Sequence, residues 1–300
     1  MTKNSNLAIL VILGIIWSSF ALFTKVAATN LSPFFVTFSR LALGGSLIYA
    51  ICLIQQKPVI IKENFKHYAI VGFFNSAMPF TLFAIASRYV DSGIAAILDG
   101  TVPMFEVLIS MLILKRFVDR NSIIGVIFGA LGIVVTYFDS LFNTEITWSY
   151  SFSVIAILIA TASYAAASLY LNSKCKEIDP MTMAGGSVFA AILMLSPSLL
   201  FADFNLIDGK TFSSLLGLGL LCTGFAYVLY FRLVQEEGPR IAVSVVLLIP
   251  IFGTIFGALF LGESITLNKI IGCLMILVSM KFILNLSSQN FFKSKHPHAL

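Results

Sequence analysis

The chain has 300 residues, 58% of them hydrophobic and only 11% charged, where an ordinary soluble domain is about 45–50% apolar and about 25% charged. So little charge cannot cover a water-exposed surface of this length, and disorder needs the opposite balance. The net charge of +5 would point to nucleic acid only if it formed a patch; it sits instead in short clusters between long apolar runs, the pattern of membrane topology.

Taken in chain order, ten stretches are apolar enough, and about long enough, to cross a hydrocarbon layer as helices. They are residues 7–28, 33–54, 67–87, 93–114, 121–138, 151–171, 181–201, 212–234, 240–261 and 268–287. Lys3 precedes an uncharged run from Asn4 to Thr24. A cleaved leader has a shorter apolar core, so this run reads as a retained first helix. The connections are short and leave room for no soluble domain. Backbone in lipid must satisfy its own hydrogen bonds, which at this span length means helices.

With the N-terminus cytoplasmic, Lys3, Lys57, Lys62, Lys66, Lys115, Arg116, Arg120, Lys174, Lys176, Arg232, Arg240, Lys293 and Lys295 lie on one side. Lys25, Arg88, Lys210 and Lys269 lie on the other. The positive-inside rule predicts an inner-membrane protein with both termini in the cytoplasm. Cys52, Cys175, Cys222 and Cys273 form no CxxC pair or zinc spacing and read as small apolar fillers. His67, His296 and His298 read as loop or tail residues, and neither a metal nor a cofactor is expected.

The sequence repeats itself at a constant shift of 147 residues. The shift pairs Pro33 with Pro180, Gly72 with Gly219, Pro103 with Pro250, Phe105 with Phe252, and Asn121–Gly125 with Asn268–Gly272. Trp17 meets Tyr164 and Phe83 meets Tyr230. Each half has five spans, an odd number, so the second half is inverted. The fold class is therefore all-α: a polytopic membrane protein of ten transmembrane helices in two inverted five-helix repeats, residues 1–140 and 150–290. Inverted repeats mark secondary transporters with a midplane site between the halves.

Several local patterns resemble the EamA-type transporters of the drug/metabolite transporter superfamily. Trp17-Ser18-Ser19 resembles that family's first-helix element, and Pro33 followed by Arg40 resembles the start of its second helix. Thr223, Tyr227 and Tyr230 resemble its T-x-x-x-Y stretch, and Pro250 with Leu261-Gly262-Glu263 its P…LGE signature, followed by Gly272. The resemblance covers residues 7–287. It implies a central cavity lined by helices 1, 3, 4, 6, 8 and 9, with 5 and 10 outside, and transport of amino acids, other metabolites or drugs. The first half departs from the signature, with Leu114-Lys115-Arg116 where the second has Leu-Gly-Glu. The first helix also lacks the acidic residue on which small multidrug-resistance relatives depend.

Arg40, Asp99, Glu106 and Lys281 are the charges inside spans, and their mates under the shift are Ser187, Val246, Gly253 and Val134. A charge in the bilayer needs a partner or a task, so chemistry particular to this protein is expected at these unduplicated positions. Asp99 and Glu106 are seven residues apart, two helical turns, and share a face. Pro103 lies on that face, and Pro103 and Pro250 each free a carbonyl four residues back, which makes either a hinge or an ordinary kink. Arg40 and Asp99 fall at similar depth, open to an ion pair, an outer gate or a contact of Arg40 with a substrate carboxylate. Glu106 reads as a proton or cation site, or as a neutral acid bonded to backbone. Lys281 reads as snorkelling to the inner interface.

Trp17, Ser19, Asn75, Tyr164, Thr223, Tyr227 and Tyr230 complete the set expected to bind substrate or couple. Gly125xxxGly129 and Gly253xxxGly257 read as close helix packing. The expected function is secondary transport of a small metabolite (amino acid-like, nucleoside- or cofactor-like, or a drug) by alternating access, coupled to protons or driven by exchange. The alternatives are a membrane enzyme acting on a lipid or headgroup, for which no dense reactive cluster is visible, and a non-transporting scaffold. The partners are the bilayer and a small molecule, not nucleic acid, with monomer and homodimer both open.

Overall fold

The apolar stretches fold as helices in a computed structural model, which describes residues 3–54, 56, 61–143 and 147–284. Lys57, Lys293, Lys295, His296 and His298, and the side chains of Lys3, Lys62 and Arg240, lie outside the described residues. Among those residues nine helices are long and apolar enough to span: α1 (Asn6–Asn30), α2 (Pro33–Ile54), α3 (Glu63–Ala86), α4 (Ser92–Leu112), α5 (Arg120–Phe138), α6 (Trp148–Lys174), α7 (Pro180–Phe201), α8 (Gly209–Glu237) and α9 (Ile241–Leu261). The tenth, α10 (Leu267–Ile283), has 17 residues. No strand occurs among the described residues.

Local chemistry sets several helix starts. Asp179 accepts the backbone N–H of Met181 and Thr182 and precedes Pro180 at the first turn of α7. Asp208 accepts Thr211 N–H at 2.7 Å and begins α8 before residue 212, where apolarity alone would place it. Such caps satisfy donors that a helix cannot satisfy within itself. His67 lies on α3 rather than in a loop, its Nδ1 2.9 Å from the Tyr170 hydroxyl.

The packing follows the repeat. α2 packs on α8 and its mate α7 on α3; α1 packs on α8 and its mate α6 on α3; α4 packs on α9 and α5 on α10. Exchanging the halves turns each of the first four pairings into another of the set and leaves α4–α9 and α5–α10 unchanged. Departures from regular helix repeat as well. A π-helical turn occupies Phe73–Ala77 in α3 and Gly217–Phe225 in α8, and the shift carries 73–77 onto 220–224. α4 breaks at Gly100–Thr101, and α9 is interrupted by a tight 3-10 turn over Ser244–Leu248, the matching depth. A left-handed residue follows each broken helix, Lys115 at φ 50 and Gly262 at φ 68. The break of α1 at Ser19 is not repeated, since its mate Ala166 lies within unbroken α6.

Pro103 and Pro250 both sit in the first turn of a new helical segment, where a missing N–H costs no hydrogen bond. They restart broken helices rather than kink continuous ones, which corrects the helix-interior placement expected from sequence. The two breaks touch: a methyl added at Gly100 would meet Pro250 at 3.2 Å. The α5–α10 seam is built on Gly125, Gly129 and Gly132 against Gly272, Ile276, Ser279 and Ile283.

Candidate functional site

A cavity of about 320 Å³ lies where the halves meet. Of the twelve expected site residues, nine line it: Trp17, Arg40, Asn75, Asp99, Pro103, Glu106, Tyr164, Tyr227 and Tyr230. Its charged groups are one guanidinium and two carboxylates. Asp99 and Glu106 face the same space although the helix breaks between them. A larger groove of about 730 Å³ runs between α2, α3 and α7, but its lining holds no charged side chain. Its walls include exposed Phe34, Phe73, Met194 and Phe201, so it belongs to the lipid-facing surface.

Arg40 is fixed from two sides. Its Nε donates to the Thr223 hydroxyl at 3.0 Å, and its guanidinium carbon sits 3.6 Å from the centroid of the Phe80 ring, within cation–π range. Among the described residues no ion pair joins Arg40 to Asp99, which leaves the two facing one cavity without contact. The ion-pair expectation is thereby corrected: the hydroxyl and the ring hold the arginine instead. Glu106 interacts with Ser168, and Asn75 with the Tyr227 hydroxyl.

Aromatic rings form much of the remaining wall. Trp17 and Tyr230 have centroids 5.4 Å apart, and Tyr164 lies 6.4 Å from Phe83 and 6.3 Å from Phe80. Three of the remaining expected residues stand behind the wall. Ser19 donates to the Ile16 carbonyl at 2.6 Å, Thr223 holds Arg40, and Pro250 packs against Gly100.

Sequence reasoning missed Phe20, Phe80, Ser168, Cys222, Val243, Met280 and Leu284, all in the lining. Phe80 was readable from the repeat, because the 147-residue shift makes it the mate of Tyr227. Cys222 packs in the core, as a filler does, and also lines the cavity, with its sulfur 3.4 Å from the Ser19 hydroxyl. Arg40 adds α2 to the lining helices, and Met280 on α10 with Leu284 just past it correct the expectation that α10 only supports from outside. Lys281 is exposed near the end of the same helix, as snorkelling requires.

A second charged cluster lies at the face opposite the termini. Glu263 accepts from Lys25 Nζ at 2.9 Å and from the backbone N–H of Ser92 and Gly93 at 2.8 and 3.0 Å. Asp91 accepts from Lys269 Nζ at 2.6 Å and from Lys25 at 3.4 Å. Burial pushes the Asp91 carboxyl up, but the Lys269 hydrogen bond and the charges of Lys269 and Lys25 outweigh it and hold it below the usual carboxylate value. Sequence reading placed Lys269 on the outer side as a topology charge; its near-complete burial was not legible.

Two matching halves are also what comparison with known proteins finds. The model of the EamA-like transporter family matches residues 5–138 and 151–285. The chain belongs to the EamA-like transporter family. It is 28% identical to the uncharacterized transporter YoaV of Bacillus subtilis (strain 168), covering 87% of this chain and 90% of that protein. It is 24% identical to an uncharacterized transporter of Archaeoglobus fulgidus, over 86% of this chain and 91% of that protein. It is 25% identical to the uncharacterized inner membrane transporter YedA of Escherichia coli (strain K12), over 86% and 83%. A crystal structure matches with a TM-score of 0.67 at 16% identity, over 96% of this chain and 99% of its own, which shows the same fold. This EamA-family protein is thus a multi-pass integral membrane protein.

Proposed function

We propose that this EamA-family protein is a secondary transporter that moves a small metabolite across a bacterial inner membrane by alternating access, with both termini cytoplasmic. The observation that carries this reading is the cavity at the junction of two inverted repeats, which combines Arg40, Asp99 and Glu106 with aromatic walls. Ligand sites are largely apolar with a few placed polar groups, and transporter sites sit between inverted repeats. The moving units are the repeats, residues 1–140 and 150–290, and the breaks at Pro103 and Pro250 are the hinges. Trp17, Tyr164, Tyr227 and Tyr230 stack on the substrate's apolar part. Asn75 and the charged residues orient it, and Ser19 and Thr223 support that wall from behind.

Glu106 is the coupling residue, either as a proton carrier or as the contact for a cationic substrate group. The deciding experiment is counterflow in proteoliposomes with a panel of amino acids, nucleosides, cofactors and cationic drugs, repeated at two pH values. Accelerated uptake of a labelled compound by its trapped counterpart supports the reading. A folded protein that catalyses no counterflow across the panel, while turning over a labelled lipid, overturns it in favour of a membrane enzyme.

A further inference from the structure

The charged cluster at the face opposite the termini joins one half of the molecule to the other. Lys25, Asp91 and Ser92 belong to the first half, Glu263 and Lys269 to the second. Both oxygens of each carboxylate are engaged. Glu263 Oε1 takes Lys25 and Ser92 N–H, and Oε2 takes the Ser92 hydroxyl and Gly93 N–H. Asp91 Oδ1 takes Lys25 and Oδ2 takes Lys269, which also donates to the Ser264 carbonyl at 2.8 Å. The Glu263 side chain is 7% exposed and that of Lys269 2%. Charge-assisted bonds of this kind are stronger than neutral ones, and burial limits screening.

The cluster is not duplicated. The 147-residue shift sends Lys25 to Asn172, Asp91 to Gly238, Glu263 to Arg116 and Lys269 to Ser122. At the face holding the termini, the equivalent positions offer one cation and no anion. The cavity has the same asymmetry. Its lining extends from Arg40 and Asp99 to Val243, early in α9, and Leu284, just past α10. Both lie on the termini side, far from the α9–α10 turn. All four tied helices, α1, α4, α9 and α10, contribute to that lining.

We propose that the Lys25–Glu263–Asp91–Lys269 network is a one-sided latch that holds the opposite face shut in the empty carrier and makes the termini-side-open conformation its resting state. Opening the opposite face by parting the halves breaks every bond between Glu263 and α4 and strands Lys269. On the termini side the equivalent positions supply no matching ion-pair set, and a bond between the halves there is that of Asn6 Nδ2 to Glu237 Oε1, so the network biases an otherwise symmetric scaffold toward one state. A substrate reverses that order only through interactions that differ between the states. The consequence for turnover rests on the transport reading above; the conformational bias itself does not.

The test reads conformation without substrate. The four native cysteines are replaced by alanine and Ser168→Cys is introduced as a single reporter in the cavity. The full chain is reconstituted in vesicles, with orientation read from a protease-accessible C-terminal tag. A membrane-impermeant maleimide is expected to label the reporter from the termini side when the latch is intact. Glu263→Gln is expected to raise the labelling rate from the opposite face by about tenfold, and Lys25→Gln to raise it less. Variants that melt as cooperatively as the parent yet show unchanged labelling from the opposite face overturn the latch and make the cluster a static staple. Should Glu263→Gln not fold, Lys25→Gln carries the same two outcomes. A protein that moves no tested substrate still reports the latch, so its failure and the failure of the transport reading are separable.

Discussion

Thr223 and Arg40 form a two-step hydrogen-bond relay set by an irregular turn. Arg40 Nε donates to the Thr223 hydroxyl at 3.0 Å, and that hydroxyl donates to the Leu218 carbonyl, five residues back in the π-helical turn, at 2.9 Å. π-bulges are frequent at functional sites. This one aims a side-chain oxygen at the only cation lining the cavity among the described residues. The mates of Arg40 and Thr223 are Ser187 and Ser76, so the turn is duplicated and the charged pair is not.

Thr223→Val keeps the shape and removes the acceptor. Leaving a buried donor unsatisfied costs roughly 1–3 kcal/mol. The expected outcome is a lower melting temperature and a KM raised several-fold in counterflow, while Thr223→Ser restores both. A Thr223→Val protein with the parent's KM and melting temperature would show that Arg40 needs no positioning.

Glu106 shares the cavity with Arg40, Asp99 and Ser168 and, among the described residues, forms no ion pair. Glu106→Gln keeps the volume and removes the titratable group, and the protein is expected to insert and fold. Transport should fall by about tenfold or more, with its pH dependence flattened. Uptake indistinguishable from the parent across the pH series would remove Glu106 from the mechanism.

Helix number, inversion and most of the cavity were legible because they depend on one-dimensional signals: hydropathy, an odd span count and matched Pro, Gly and Asn at one offset. Asp99, Glu106 and Arg40 stood out because charge in a span is costly. What stayed hidden depends on backbone departures from ideal helix. The break of α1 puts Ser19 onto the Ile16 carbonyl, and the π turn of α8 points Thr223 at Arg40 rather than into the cavity. Neither rotation follows from a 3.6-residue period. The charged cluster was hidden for another reason: Lys25 and Lys269 read as outer-side topology charges, Glu263 as part of the LGE signature, Asp91 carried no reading, and only folding brings the four together.

The seam between α5 and α10 tests the architecture away from the cavity, since no α5 residue lines it. A methyl at Gly132 would meet Ile276 at 2.8 Å and the Gly272 carbonyl at 3.2 Å. Overpacking of this kind costs about 1–3 kcal/mol. Gly132→Leu is therefore expected to lower the melting temperature while counterflow per folded molecule stays at the parent's rate. A Gly132→Leu protein that melts like the parent would mean the helices stand further apart than described.

Acid should loosen the face opposite the termini through Asp91. Its carboxyl faces Lys269 and Lys25, with Glu263 held on the adjoining Ser92, and folding lowers its pKa from the ordinary value of 3.8. A carboxylate whose folded value is depressed adds stability that is complete above its unfolded value and disappears as pH falls through the folded one. The effect therefore sits on the acid side of 3.8, so Asp91 does not act as a switch near neutrality. Melting temperatures of the parent and of Asp91→Asn, followed from about pH 7 down to about pH 3, should differ by a constant gap at neutral pH. That gap should begin to narrow as pH falls below 3.8. A gap that is absent at neutral pH, or that persists unchanged in acid, would show that the Lys269 and Lys25 contacts to Asp91 do not contribute to folding.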